Sequence, residues 1–190
     1  MIKGEKVYII IAIILLFVIV ILIFNRFIRY RAMVREALSG IDVQLKRRHD
    51  LIPNIVDAVK GYMQHERKVL EDVTQLRARV GDSKTVKEKG EAENGLSQVL
   101  KTIFAVAEAY PDLKANQNFL EVQKSLTDIE DQIQMARRYY NGTVRNYNIL
   151  VESFPGNLIA KVFNFAPADF FEIEYVTERK VPDVRFTGQG

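Results

Sequence analysis

His65 and Glu66 stand side by side in this chain. That pair is half of the H-E-x-x-H motif, in which two imidazoles one turn apart hold zinc and the carboxylate activates water. The second imidazole would fall at position 69, which is Val69. A di-iron bundle needs a histidine three residues after a glutamate, and neither His49 nor His65 has one there. The two histidines would lie about 24 Å apart along a helix at about 1.5 Å per residue, so a shared metal site is not expected. There is no cysteine, which excludes thiolate nucleophiles, disulfides and cysteine zinc sites. No lysine follows a phosphate-loop glycine pattern. An active site would have to gather His65, Glu66, Tyr140 and Tyr147 around a central cavity. The favoured expectation is a chain with no catalytic residues and no cofactor, in which these side chains serve architecture.

The elements that would hold them begin with an apolar run. Residues 7–24, VYIIIAIILLFVIVILIF, are uncharged throughout, and about 20 such residues cross the hydrocarbon core as a helix. A cleavable signal would be shorter and end in small residues, whereas this run ends in FNRFIRYR. It reads as an uncleaved anchor, with residues 1–6 as a short extracytoplasmic tail and 7–25 as the span. Arg26, Arg29, Arg31 and Arg35 follow with no acid among them. By the positive-inside bias everything after the span is expected to face the cytoplasm, with the N-terminus out.

Past the span, apolar residues recur at steps of three and four from Val34 through Leu38, Ile41, Leu45, Ile52, Ile55 and Val59 to Val80. The spacing predicts one long helix packed against others. Pro53 falls inside it and is expected to bend it, since the repeat stays in phase. Arg48 and Glu66 occupy seam positions, so they are expected either to pair with charges on a facing helix or to snorkel to the rim. A polar stretch at 81–95 separates this series from a second helix, opened by the capping box Thr85 to Glu88 and stopped by Pro111. A third begins near Asn116 to Asn118 and runs to Phe154. On it Tyr140, Asn141, Tyr147 and Asn148 repeat at sevens and are expected to hydrogen-bond within the bundle, a ligand site being the sharper alternative.

Pro155-Gly156 ends the third helix, and NLIAKVFNF suggests a short fourth. In FFEIEYVTE, Phe171, Ile173 and Tyr175 alternate with polar residues, which predicts an extended strand in a tail at 167–190. That strand would either dock along a second copy or another protein, or lie on its own bundle and cap an open end. The expected architecture is therefore all-α: one transmembrane helix, then a cytoplasmic antiparallel bundle over 26–166 with three long helices and one short one, then an extended C-terminal tail. A formal charge of +3 with interspersed signs gives no basic stripe for nucleic acid.

The segments RRHDLIPNIVDAVKGYMQHE, AEAYPDLKANQNFLEVQ and RRYYNGTVRNYNILVESFP, with the following NLIAKVFNF, resemble in order the hallmark segments of LemA family proteins over roughly residues 30–175. The resemblance implies an antiparallel bundle of long helices with its N-terminus out. A relative of the same architecture is associated with magnetosome membranes, and members are often encoded near membrane metalloproteases. It implies no catalytic residue or ligand. The functional expectation is a scaffold that self-associates or organises membrane proteins at the cytoplasmic face, with the lipid bilayer and further copies of itself as partners. The alternative is an adaptor or regulator of a membrane protease or envelope-stress system.

Overall fold

A computed structural model describes residues 2–63, 66–83 and 85–171. Six helices follow one another: α1 (Ile2–Lys60), α2 (Arg67–Asp82), α3 (Val86–Ala107), α4 (Pro111–Lys114), α5 (Gln117–Glu152) and α6 (Gly156–Phe163). No strand occurs among the described residues. α1 is one helix of 59 residues, with Pro53 inside it, and it joins the apolar run to the bundle without a break. It is the one helix, among the described residues, long and apolar enough to cross a membrane.

The helices run up, down, up, down. Phe27 meets Tyr147, Arg48 meets Glu130 and Tyr62 meets Asn116, so α5 is antiparallel to α1 along its length. Asp42 and Arg48 pair with Lys89 and Glu93, so α3 runs parallel to α1. α2 comes down between them, with His49 bonded to the Arg77 carbonyl. Buried apolar residues form three successive clusters. The first, around Ile52, Ile55, Leu96, Ile103 and Phe119, is shared by α1, α2, α3, α4 and α5. Next comes Ile41, Leu45, Ile133, Tyr140 and Val144. Nearest the apolar run lie Phe27, Tyr147, Val151, Ile159 and Phe165, between α1, α5 and α6.

The helix expected to reach Val80 ends at Lys60. The chain turns after Lys60, with the Tyr62 and Met63 amides bonded back to the Val59 carbonyl at 3.0 and 2.9 Å, and α2 returns antiparallel. The three-four repeat stays in phase across the turn because both helices bury one stripe in the same core, so periodicity does not separate a rod from a hairpin here. Gly61, a poor helix former, is the local signal for the break. Pro111 likewise opens a helix rather than closing one: α3 ends at Ala107, and Pro111 is the first residue of α4, where its missing N–H costs nothing.

Thr85 and Glu88 form the expected capping box. The Glu88 amide donates to Thr85 Oγ1 at 3.1 Å and the Thr85 amide to Glu88 Oε2 at 3.2 Å. Thr85→Ala is expected to lower the unfolding free energy by about 1 kcal/mol, read as a shifted denaturant midpoint in detergent with unchanged slope. Asn116 caps α5 in the same way through the Phe119 amide. Gly156 opens α6 because a Cβ there would collide with the Leu150 carbonyl oxygen. Asn164, left-handed at φ 55°, ends α6 and turns the chain into an extended segment that lies back along α5.

Candidate functional site: a buried charge cluster and an asparagine clasp

The middle of the bundle buries two arginines and a glutamate where apolar residues would be expected. Arg48 of α1 is 1% exposed. Its Nη1 donates to Glu130 Oε2 of α5 and to Ser97 Oγ of α3, both at 2.6 Å, and its Nη2 reaches the Glu93 backbone carbonyl at 3.2 Å. The Glu93 carboxylate, fully buried on α3, pairs with the same guanidinium. Arg137 of α5, also buried, donates to Asn94 Oδ1 at 3.2 Å. Burial pushes the Arg48 guanidinium down from its ordinary value to about 10; attraction to Glu130 opposes this and repulsion from Arg137 adds to it. The group stays protonated at neutral pH, and the cluster ties α1, α3 and α5 at one level.

Glu66, expected in the seam with Arg48, is elsewhere. It lies at the turn before α2, where Tyr110 Oη donates to its carboxylate at 2.8 Å. That hydrogen bond holds the Tyr110 phenol above its ordinary value. His65, and with it the catalytic alternative that needed it, lies outside the described residues. Among the described residues no three histidine, aspartate or glutamate side chains converge as a metal site.

Asn141 and Asn148 make their hydrogen bonds to the extended segment after α6 rather than to another helix. Asn148 Nδ2 donates to the Ala168 carbonyl at 2.9 Å, and the Ala168 amide donates to Asn148 Oδ1 at 2.8 Å. Asn141 repeats the arrangement on Phe171, at 3.1 and 2.8 Å. Tyr140 Oη, between them in the ladder, donates to the Asp169 carbonyl at 2.9 Å. Each asparagine thus offers one residue's backbone N–H and C=O the pair of bonds a neighbouring strand would offer. The spacing fits: seven helical residues advance about 10.5 Å and three extended residues about 10 Å. Burial pushes the Tyr140 phenol up, with Asp169 adding to it. Tyr147 bonds nothing in this ladder; its ring packs edge-on to Phe27 and burial raises its phenol.

The clasp and the charge cluster meet at one side chain. Phe171, fully buried, stands 4.9 Å from the Arg137 guanidinium carbon, over the ring face, and edge-on to Tyr140. Of the two expectations for the tail, the described part, through Phe171, lies on its own bundle. Ile173 and Tyr175, and the alternating stretch they belong to, lie outside the described residues. Of the basic residues after the apolar run, Arg26 stands over the Tyr30 ring and Arg31 over the Phe165 ring, while Arg29 and Arg35 are exposed.

Glu93, Glu130 and Arg137 were not anticipated. On α3 the apolar series Ala92, Leu96, Val99, Ile103, Val106 and Tyr110 keeps helical spacing; Leu96 and Ile103 of it are buried, and the rest of the buried face is Gly90, Glu93, Leu100 and Ala107. The signal was present in Arg48: a buried cation needs a carboxylate at its level, and one step of three back from Leu96 lands on Glu93.

His49 contributes a pH dependence. Burial, first among the causes, lowers its pKa from 6.5, with Arg77 and Arg48 adding to that charge repulsion while the Arg77 carbonyl and Asp50 oppose it. A lowered base binds fewer protons folded than unfolded, so its contribution is lost as pH falls from about 6.5 through the folded value. The melting temperature of the native chain is expected to drop more than that of His49→Gln between neutral pH and pH 5; equal drops would show the ring titrates alike in both states.

A profile of the LemA family matches residues 37–186. Among curated proteins, Protein LemA of Metamycoplasma hominis is 27% identical over 156 residues, covering 80% of this chain and 71% of that protein. Magnetosome protein MamQ 2 of Paramagnetospirillum magneticum is 23% identical over 175 residues, and Magnetosome protein MamQ of Magnetospirillum gryphiswaldense 21% over 174. Each of these two matches covers 78% of this chain and 64% of the magnetosome protein, so the chain spans under two thirds of their length.

Proposed function

The chain belongs to the LemA family, and from that premise we propose that it is a membrane-anchored, non-enzymatic scaffold that self-associates or organises membrane proteins at the cytoplasmic face of the inner membrane. The observation that carries the reading is the continuity of α1. One helix passes from the apolar run into the core, so the bundle is held to its anchor without a hinge and reaches about 54 Å from Phe24 to Lys60 at about 1.5 Å per residue. A rigid arm of that length sets spacing between membrane-bound components. The buried charges support the same role, since ion pairs at one level of a core fix helix register. The MamQ relatives are named as magnetosome proteins, which agrees with an organising role.

The orientation follows from Arg26, Arg29, Arg31 and Arg35 after the span. The chain has no cysteine, so a single Leu120→Cys reports the side directly. It is expected to resist a membrane-impermeant maleimide in intact cells and to react after permeabilisation; reaction in intact cells would invert the topology. Function is tested by purifying the full chain in detergent, weighing the particle and identifying what accompanies it. A homogeneous particle of several copies supports the scaffold. A single copy captured with one stoichiometric membrane protein, such as a protease, would replace it with the adaptor reading.

A further inference from the structure

Four bulky exposed side chains lie on α6 or on the turn before it. Phe154 is 79% exposed, Val162 73%, Leu158 56% and Phe163 47%. Leu158 and Val162, four apart, share one face of α6, while Ile159 and Ala160 on the other face are buried against the bundle. α6 therefore turns one apolar face inward and a second outward, with Lys161 exposed beside the outward one.

The depth of that face is set by aromatic contacts. Phe24, the last residue of the uncharged run, has its ring 4.8 Å from Phe163 and 5.8 Å from Phe165, and Phe27 stacks on Phe165 at 4.6 Å. Eighteen helical residues span about 27 Å, close to the roughly 30 Å hydrocarbon core, so Phe24 marks its edge and α6 lies at the same level. Arg31 stands over Phe165 there, and Arg26, Arg29 and Tyr30 line an open groove of about 500 Å³ on α1. A short helix with an apolar outward face and flanking cations is the makeup of an interfacial helix on anionic lipid.

We propose that α6 and the turn before it are a second membrane contact: Phe154, Leu158, Val162 and Phe163 embed in the interfacial layer of the bilayer that α1 spans, with Lys161 and the α1 arginines among anionic headgroups. The proposal rests on α1 being a span. Two contacts to one bilayer fix the tilt and rotation of the bundle, which a single span leaves free.

The test places a nitroxide on single cysteines of the full chain in vesicles of phosphatidylethanolamine and phosphatidylglycerol. Ile13→Cys reports the span, Leu158→Cys and Val162→Cys report α6, and Leu120→Cys, at the opposite end of α5, reports water. All four positions are exposed, so the label displaces no core. The expected result is a ratio of oxygen to nickel-chelate accessibility that is several-fold higher at Leu158 and Val162 than at Leu120, approaching that at Ile13. A water-like ratio at α6 with a lipid-like one at Ile13 overturns the proposal alone. A water-like ratio at Ile13 overturns the span itself. Dipolar broadening between labels at Val162 would show the face pairing with a second copy, and would also overturn it.

Discussion

Arg48→Ala is expected to lower the unfolding free energy by about 3–5 kcal/mol, the cost of leaving a buried partner charge uncompensated. The guanidinium faces two carboxylates, those of Glu93 and Glu130, and the Ser97 hydroxyl, so its removal strands Glu93 in a site with no solvent contact. Glu130 retains a bond from Gln134 and some exposure, and its loss is expected to cost less. The pair is not assumed to favour folding outright. Burial lowers the Arg48 pKa more than Glu130 raises it, and buried ion pairs are often matched by well-packed apolar residues. The double variant Arg48→Met, Glu93→Leu is therefore expected to recover most of the loss. A single variant that costs under about 1 kcal/mol, as a rim pair would, would show that the guanidinium escapes to water. Chemical denaturation in detergent, followed by circular dichroism, measures both. Recovered stability with broadened particle mass would show that the charges act on register more than on stability.

What the residue pattern disclosed depended on whether one helix face carried it. The span, the seam of α1 up to Val59, the capping box at Thr85 and the start of α5 at Asn116 are local features, each decided within a turn or two of chain. The break after Lys60 stays hidden because the apolar positions between Val59 and Val80 continue the arithmetic of the seam although the chain has reversed. Counting apolar positions also erased Glu93 and Arg137, which are buried because they answer Arg48 and Phe171 across the bundle. The asparagines were legible as unusual on a long helix, but their partners are peptide groups about 20 and 30 residues later, and a backbone carbonyl has no signature in the side-chain sequence. The tail from Pro167 is legible as extended; that its first residues lie along α5 depends on where Asn164 turns the chain.

The pair Asn141→Ala, Asn148→Ala is expected to release the segment from Phe165 to Phe171 while the helices remain. Four hydrogen bonds to its backbone disappear together. At a net of about 0.5–1 kcal/mol each, the lost protection is about 2–4 kcal/mol. Hydrogen exchange reads this directly: the Ala168 and Phe171 amides, which donate to the two asparagines, should exchange roughly 30- to 1000-fold faster. Amides in the middle of α5 should be unaffected. Because Phe171 covers Arg137 and packs on Tyr140, opening the clasp also wets one side of the charge cluster, so Arg48→Ala should cost less in the released variant than in the native chain. That non-additivity separates a latch from a loose tail: independent losses would mean that the segment rests on the bundle without sealing it. Single asparagine variants should fall between, since the remaining one still holds its peptide about 10 Å away along the helix. If exchange at Ala168 is already fast in the native chain, the clasp is not closed in solution and the tail is available to pair elsewhere.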